Sequence, residues 1–118
     1  MLQPILWLIL AAIHATPALA FVRPATLTAL YRIPPDSPLF LLMQHRAGLF
    51  LAVFVACLWA AFVPEGRRLA VLVVGISMVS FLFLWWQAGS PPALKRIALV
   101  DLAGLPALAG VAWLAFRQ

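Results

Sequence analysis

The stretch LFLLMQHRAGLFLAVFVACLWAAFV, residues 39–63, decides how the chain must be read. It is long enough to cross a hydrocarbon core of about 30 Å as a helix, which takes roughly 20 residues. Strand is excluded, because an open strand leaves backbone groups unpaired in lipid and the stretch lacks the alternation of a barrel strand. Near its start, however, it carries Gln44, His45 and Arg46. Charge at that depth is costly, so a span that keeps an arginine and a histidine marks a place to look for function.

Three further runs have the same character: about 4–22, 69–86 and 95–116. Pro4 sits near the start of the first, where a missing N–H costs little. The last contains Asp101 and a potential kink at Pro106. The rest of the composition agrees. Of 118 residues, 66% are hydrophobic and 9% charged, with a mean hydropathy of +1.09. A soluble domain of this size needs a charged surface, whereas lipid solvates an apolar one directly. The four runs use most of the chain. Residues 1–118 therefore read as a single transmembrane domain, an all-α integral membrane four-helix bundle.

The connections differ in kind. Pro64-Glu-Gly-Arg-Arg68 predicts a tight turn that makes the second and third spans antiparallel neighbours. Gln87-Ala-Gly-Ser-Pro-Pro92 is a short breaker before the fourth span. The first loop is longer; Ala25–Arg32 has room for a short interfacial helix that must stop at Ile33-Pro-Pro-Asp36. Trp7, Trp59, Trp85, Trp86 and Trp113 fall near span ends, as interfacial belts require. Ala18-Leu-Ala20 fits a small-x-small cleavage site after an apolar run. No basic residue precedes that run, and His14 and Pro17 interrupt it, so the first span reads as a retained helix.

A net charge of +5 raises nucleic acid as a partner. Arg23, Arg32, Arg67, Arg68, Lys95, Arg96 and Arg117 are instead scattered, mostly just outside the apolar runs, where they meet headgroups. Nucleic-acid binding is excluded on that distribution. Cys57 is the only cysteine, so no intramolecular disulfide or thiol relay is possible. The basic residues are nearly balanced between the two sides, and Arg23 directly after the first span favours a cytoplasmic face for the long loops.

Helical rise puts the ionisable residues of three spans at one depth. Measured from the side of the Arg23–Pro38 loop, His14 lies about 12 Å in, and His45, Arg46 and Asp101 about 9–10 Å in. Gln44 and Gln87 belong to this layer, and Ser80 is within its reach. Arg46 is the one unconditional cation near Asp101, and pairing them would offset desolvation while His14 or His45 completes the hydrogen bonding. Such a clasp could serve packing alone, and Arg46 could instead snorkel to the headgroups. The sharper reading is a cavity with a polar lining. His14, Gln44, His45, Arg46 and Asp101 would face a carboxylate, phosphate or quinone-type oxygen, with Trp85 and Trp86 as flat walls. Proton-coupled transport through Asp101 or a histidine is the alternative. A membrane enzyme using the histidines as acid and base on an amphiphilic substrate is another.

A two-His-one-carboxylate metal set of His14, His45 and Asp101 has no local spacing to support it. No metal ligand, cofactor or catalytic residue is assigned, since no Gly-rich loop, GxSxG elbow or HExxH is present. Ser77 and Ser80 are expected to bond their own helix backbone. Gly48, Ala52, Ala56 and Ala60 recur every four residues and form a small-xxx-small packing stripe. The stripe suits intramolecular packing first, and a homodimer or larger membrane complex second. Ala103, Ala107 and Gly110 offer a matching small face. Membrane lipids are the expected partners.

Leu42-Met-Gln-His-Arg-Ala-Gly-Leu-Phe50, the preceding Tyr31 and Pro35-Asp-Ser-Pro38, and Leu94-Lys-Arg-Ile-Ala-Leu-Val-Asp101 together resemble a family of small four-span bacterial membrane proteins, DoxX-like in layout. His14 followed by Pro17-Ala-Leu also matches. The resemblance covers nearly the whole chain and implies the four-span fold and the polar positions; the bacterial inner (cytoplasmic) membrane is the expected location. Some members are labelled phosphopantetheine adenylyltransferase. The residues argue against that activity here, because it needs a Rossmann-like sheet and a nucleotide-binding histidine motif that this chain lacks.

Overall fold

The computed structural model describes residues 2–23 and 25–117, with the side chains of Thr26, Leu30 and Tyr31 outside the described set. The helices are α1 (Leu2–Val22), α2 (Ala25–Tyr31), α3 (Pro38–Phe62), α4 (Arg67–Gln87) and α5 (Lys95–Phe116). Among the described residues there is no strand. α1, α3, α4 and α5 are long and apolar enough to cross a membrane. The protein is an all-α four-helix bundle of membrane type, and its span limits fall within two residues of those read from the sequence.

Punctuation explains that agreement. The Ser37 hydroxyl accepts from the Leu39 N–H at 3.2 Å, and Pro38 occupies the first helical position of α3. Val63 turns extended and Pro64–Gly66 makes one 3₁₀ turn into α4. After α4, Gly89 and Ser90 take φ of 90° and 55°. Their N–H groups return to Trp86 O and Trp85 O, which reverses the chain. The Trp85 indole N–H donates to Pro91 O at 3.0 Å and pins this loop.

α1 is the hub. It packs extensively on α3 and also against α5, and α5 in turn packs on α4. α3 and α4 are antiparallel, as expected, but they touch less extensively and a groove lies between them. The core draws Trp7, Leu10 and Ala11 from α1, Val53 and Cys57 from α3, Val74 and Met78 from α4, and Leu108 and Val111 from α5. Lipid is as apolar as leucine, so these contacts are held by close fit and dispersion rather than by escape from water. Outward residues such as Leu41, Leu72, Ile76 and Leu99 are exposed, as a lipid-facing surface allows.

Trp7 departs from the belt expectation. It is fully buried, because its face of α1 turns into the core with Leu10 and Ala11, whereas Trp59, Trp86 and Trp113 are exposed. The small-residue stripe also contributes unevenly. Ala60 is buried and Gly48 packs against the Phe21 ring, while Ala52 is exposed. Four-residue spacing drifts by about 40° per step at 100° per residue, so the stripe does not keep to one face and reaches the buried core only at Ala60.

Gly104 is a close-approach point on α5. A Cβ there would lie 2.6 Å from Ile13 Cδ1 on α1 and 2.9 Å from Met78 Cε on α4. Both atoms are flexible tips, so Gly104→Ala should be tolerated with a small shift. Gly104→Leu should destabilise by about 1–3 kcal/mol through overpacking, read as an earlier midpoint in denaturant unfolding from mixed micelles. Equal midpoints for the two variants would contradict this packing.

At the end away from the polar layer, arginines expected to meet headgroups turn back onto helix ends. Arg67 donates through Nε to Ala60 O at 2.7 Å and through Nη2 to Ala61 O at 3.2 Å. Arg68 Nε donates to Ala115 O at 3.2 Å. Carbonyls at a helix C-terminus lack intrahelical donors, and a cation suits the dipole there. Arg67→Ala should therefore cost about 1–3 kcal/mol in the same unfolding measurement. Arg67→Lys should recover only part of it, because one ammonium cannot reproduce the two-pronged contact.

Candidate functional site

The polar layer assembles around Phe50. Arg46 and Phe50 are one helical turn apart on α3, and the guanidinium lies 4.5 Å from the Phe50 ring centroid. It is also 5.8 Å from the Phe81 centroid on α4. The His14 ring of α1 is 6.0 Å from that of Phe50, tilted by 34°. Asp101 on α5 is half-buried and feels the charge of Arg46. Side chains from all four spans thus meet at one level, with α3 contributing both the cation and the ring that connects it to the histidine.

His14 is nearly inaccessible, at 2% exposure, and its Nδ1 lies 2.8 Å from Leu10 O one turn earlier. A carbonyl only accepts, so Nδ1 carries the proton and Nε2 is the free position in the neutral ring. Prolines add polarity to the layer. Pro17 has no N–H to give Ile13 O, and Pro106 none to give Leu102 O, so each frees a carbonyl adjacent to His14 or Asp101.

Arg46 also lines the groove between α3 and α4, which encloses about 350 Å³. Because the helices are antiparallel, Arg46, Ser80, Phe81 and Leu84 form one end of it. Val53 and Val73 form the other. Ser80 Oγ donates to Ser77 O at 3.2 Å, the backbone attachment expected for a serine in a span. The rim residues Leu49, Ile76 and Leu84 are exposed, so the groove is open along the outer, lipid-facing side of the bundle. Its lining holds one cation, Arg46, and two hydroxyls, Ser77 and Ser80, over walls that are otherwise hydrocarbon.

The remaining candidates lie elsewhere. His45 is exposed, 100° around α3 from Arg46, and Gln44 is half-buried outside the groove. Gln87 is exposed. Trp85 is occupied with Pro91 O, and Trp86 is exposed beside Phe83 with ring centroids 6.5 Å apart. The flat walls come instead from Phe50 and Phe81. Phe50 was recognisable as the residue four positions after Arg46, whereas nothing in the sequence marks Phe81. Among the described residues no group of three His, Cys, Asp or Glu side chains converges to hold a metal ion, so His14, His45 and Asp101 do not form one. No protein-family profile, curated protein or solved structure matches this chain.

Proposed function

We propose that the protein is a non-enzymatic amphiphile-binding protein, multi-pass in the bacterial inner membrane, as in the DoxX-like proteins it resembles. The groove between α3 and α4 would hold a single apolar chain, and Arg46 would engage the head. The observation that carries this reading is the placement of Arg46 at one end of a mainly apolar groove open to lipid. Asp101 lies within electrostatic reach of Arg46, so the matching head is a compact oxygen acceptor, a carboxylate or quinone-type carbonyl, rather than a large polyanion. His14 and Phe50 serve as positioning residues behind the guanidinium.

Binding of radiolabelled oleate to the full chain in phosphatidylcholine nanodiscs tests the proposal. Wild type should bind saturably, and Arg46→Gln should weaken binding about tenfold through loss of a charged hydrogen bond. An alkane of equal length should not compete, whereas a long-chain quinone should. Unchanged oleate affinity in Arg46→Gln would remove the basis for the reading.

A further inference from the structure

A second cavity lies outside the bundle, between the short helix α2 and the entry to α5. It encloses about 550 Å³ and is lined by Ala29 and Arg32 on one side and by Pro92, Leu94, Arg96 and Ile97 on the other. Arg32 and Arg96, from separate elements, therefore line one space, at the level where the chain leaves the membrane. Asp36 and Glu65, the other two acidic residues besides Asp101, are not among its lining, so the space carries uncompensated positive charge.

The backbone at Arg32 points the same way. Arg32 ends α2 in the left-handed region, at φ 58°, with its N–H on Thr28 O at 2.9 Å. Thr28 Oγ1 donates to Ile33 O at 2.8 Å and braces the turn. Glycine is the usual occupant of that conformation, since a Cβ is disfavoured there. The braced turn fixes where the Arg32 side chain leaves the backbone at the edge of that space.

Arg96 also lines a neighbouring trough with Lys95, Leu99, Val100 and Ala103 along α5. Leu99 and Val100 are exposed toward lipid. An anion site thus adjoins an apolar channel running down a span, the shape of a headgroup joined to an acyl chain. We infer that Arg32 and Arg96 form a phosphate-binding site for an anionic phospholipid, with its acyl chain along Leu99 and Val100. Guanidiniums suit this role because they match phosphate oxygens bidentately. The site is separate from the groove at Arg46 and does not depend on it.

Native mass spectrometry of the full chain, released from micelles holding equal phosphatidylglycerol and phosphatidylcholine, tests the assignment. Wild type should retain one phosphatidylglycerol with a preference of roughly thirtyfold, the worth of two basic residues at a membrane surface. The double variant Arg32→Gln/Arg96→Gln should lose that preference, and Arg32→Lys/Arg96→Lys should keep part of it. Arg117→Gln, which removes one charge on the opposite side, should leave it intact. Millimolar inorganic phosphate should not displace the lipid. Displacement by phosphate alone would assign the site to a soluble phosphate ester and overturn the acyl-chain assignment. An unchanged preference in Arg32→Gln/Arg96→Gln, or an equal loss in Arg117→Gln, would overturn the site itself.

Discussion

Arg46→Met should destabilise the bundle by about 2–4 kcal/mol, and Asp101→Asn made in the same chain should restore much of that loss. Methionine keeps the apolar stem against Phe50, so the variant chiefly removes the charge. Asp101 would then sit half-buried among apolar helices without the cation that acts on it. A carboxylate deep in a span without a nearby cation costs about 3 kcal/mol on insertion scales. Neutralising both members removes the uncompensated charge. The charge-swapped chain Arg46→Asp/Asp101→Arg should likewise recover part of the loss seen in each single variant. Denaturant unfolding in mixed micelles gives the four corners of the cycle. A double variant as unstable as the sum of its singles would show that the two side chains act independently.

The second large effect is expected at Trp7. Trp7→Ala should cost about 3–5 kcal/mol, because the ring is fully buried in the core and its removal leaves a cavity that rigid neighbours cannot fill. The loss survives in a lipid setting, since what disappears is dispersion contact rather than hydrophobic transfer. Trp7→Phe should stay within about 1 kcal/mol of wild type. The indole N–H finds no acceptor among the described residues, so phenylalanine removes volume but also a buried unpaired donor. If Trp7→Phe were as damaging as Trp7→Ala, the N–H would have to make a bond that this arrangement does not contain. Intrinsic fluorescence is a poor probe for these variants, and unfolding followed by far-UV circular dichroism is the suitable one.

The spans were legible because lipid imposes a length, and because Pro38, Pro64 and the Pro91-Pro92 pair mark helix limits. The neighbour order was not. In water a helix declares its inner face by an apolar stripe, but here Ile76 faces outward and Val74 inward with no difference in polarity. That is why Trp7 read as an interfacial residue and why the Gly48–Ala60 stripe read as one continuous packing face. At the candidate site, depth could be counted from the ends of the runs, so Arg46, His14 and Asp101 were recognisable as one layer. Direction around each helix could not be counted with equal security. His45 and Arg46 share a depth, yet 100° of rotation puts one on the lipid face and the other over Phe50. The tryptophan walls failed for a related reason: Trp85 serves the loop through Pro91, and the groove is walled by Phe50 and Phe81.

The central claim is that a chain-bearing ligand lies between α3 and α4 with its head at Arg46. Photocrosslinking with a fatty acid carrying a diazirine near its tail end, in membranes containing the full protein, tests it most directly. Peptide mapping should place the label on groove residues such as Val53, Val73 and Ile76, with at least a fivefold loss in Arg46→Gln, the order of one charged hydrogen bond. Label spread evenly over lipid-facing positions such as Leu72, Leu102 and Trp113, and unchanged in Arg46→Gln, would contradict the claim.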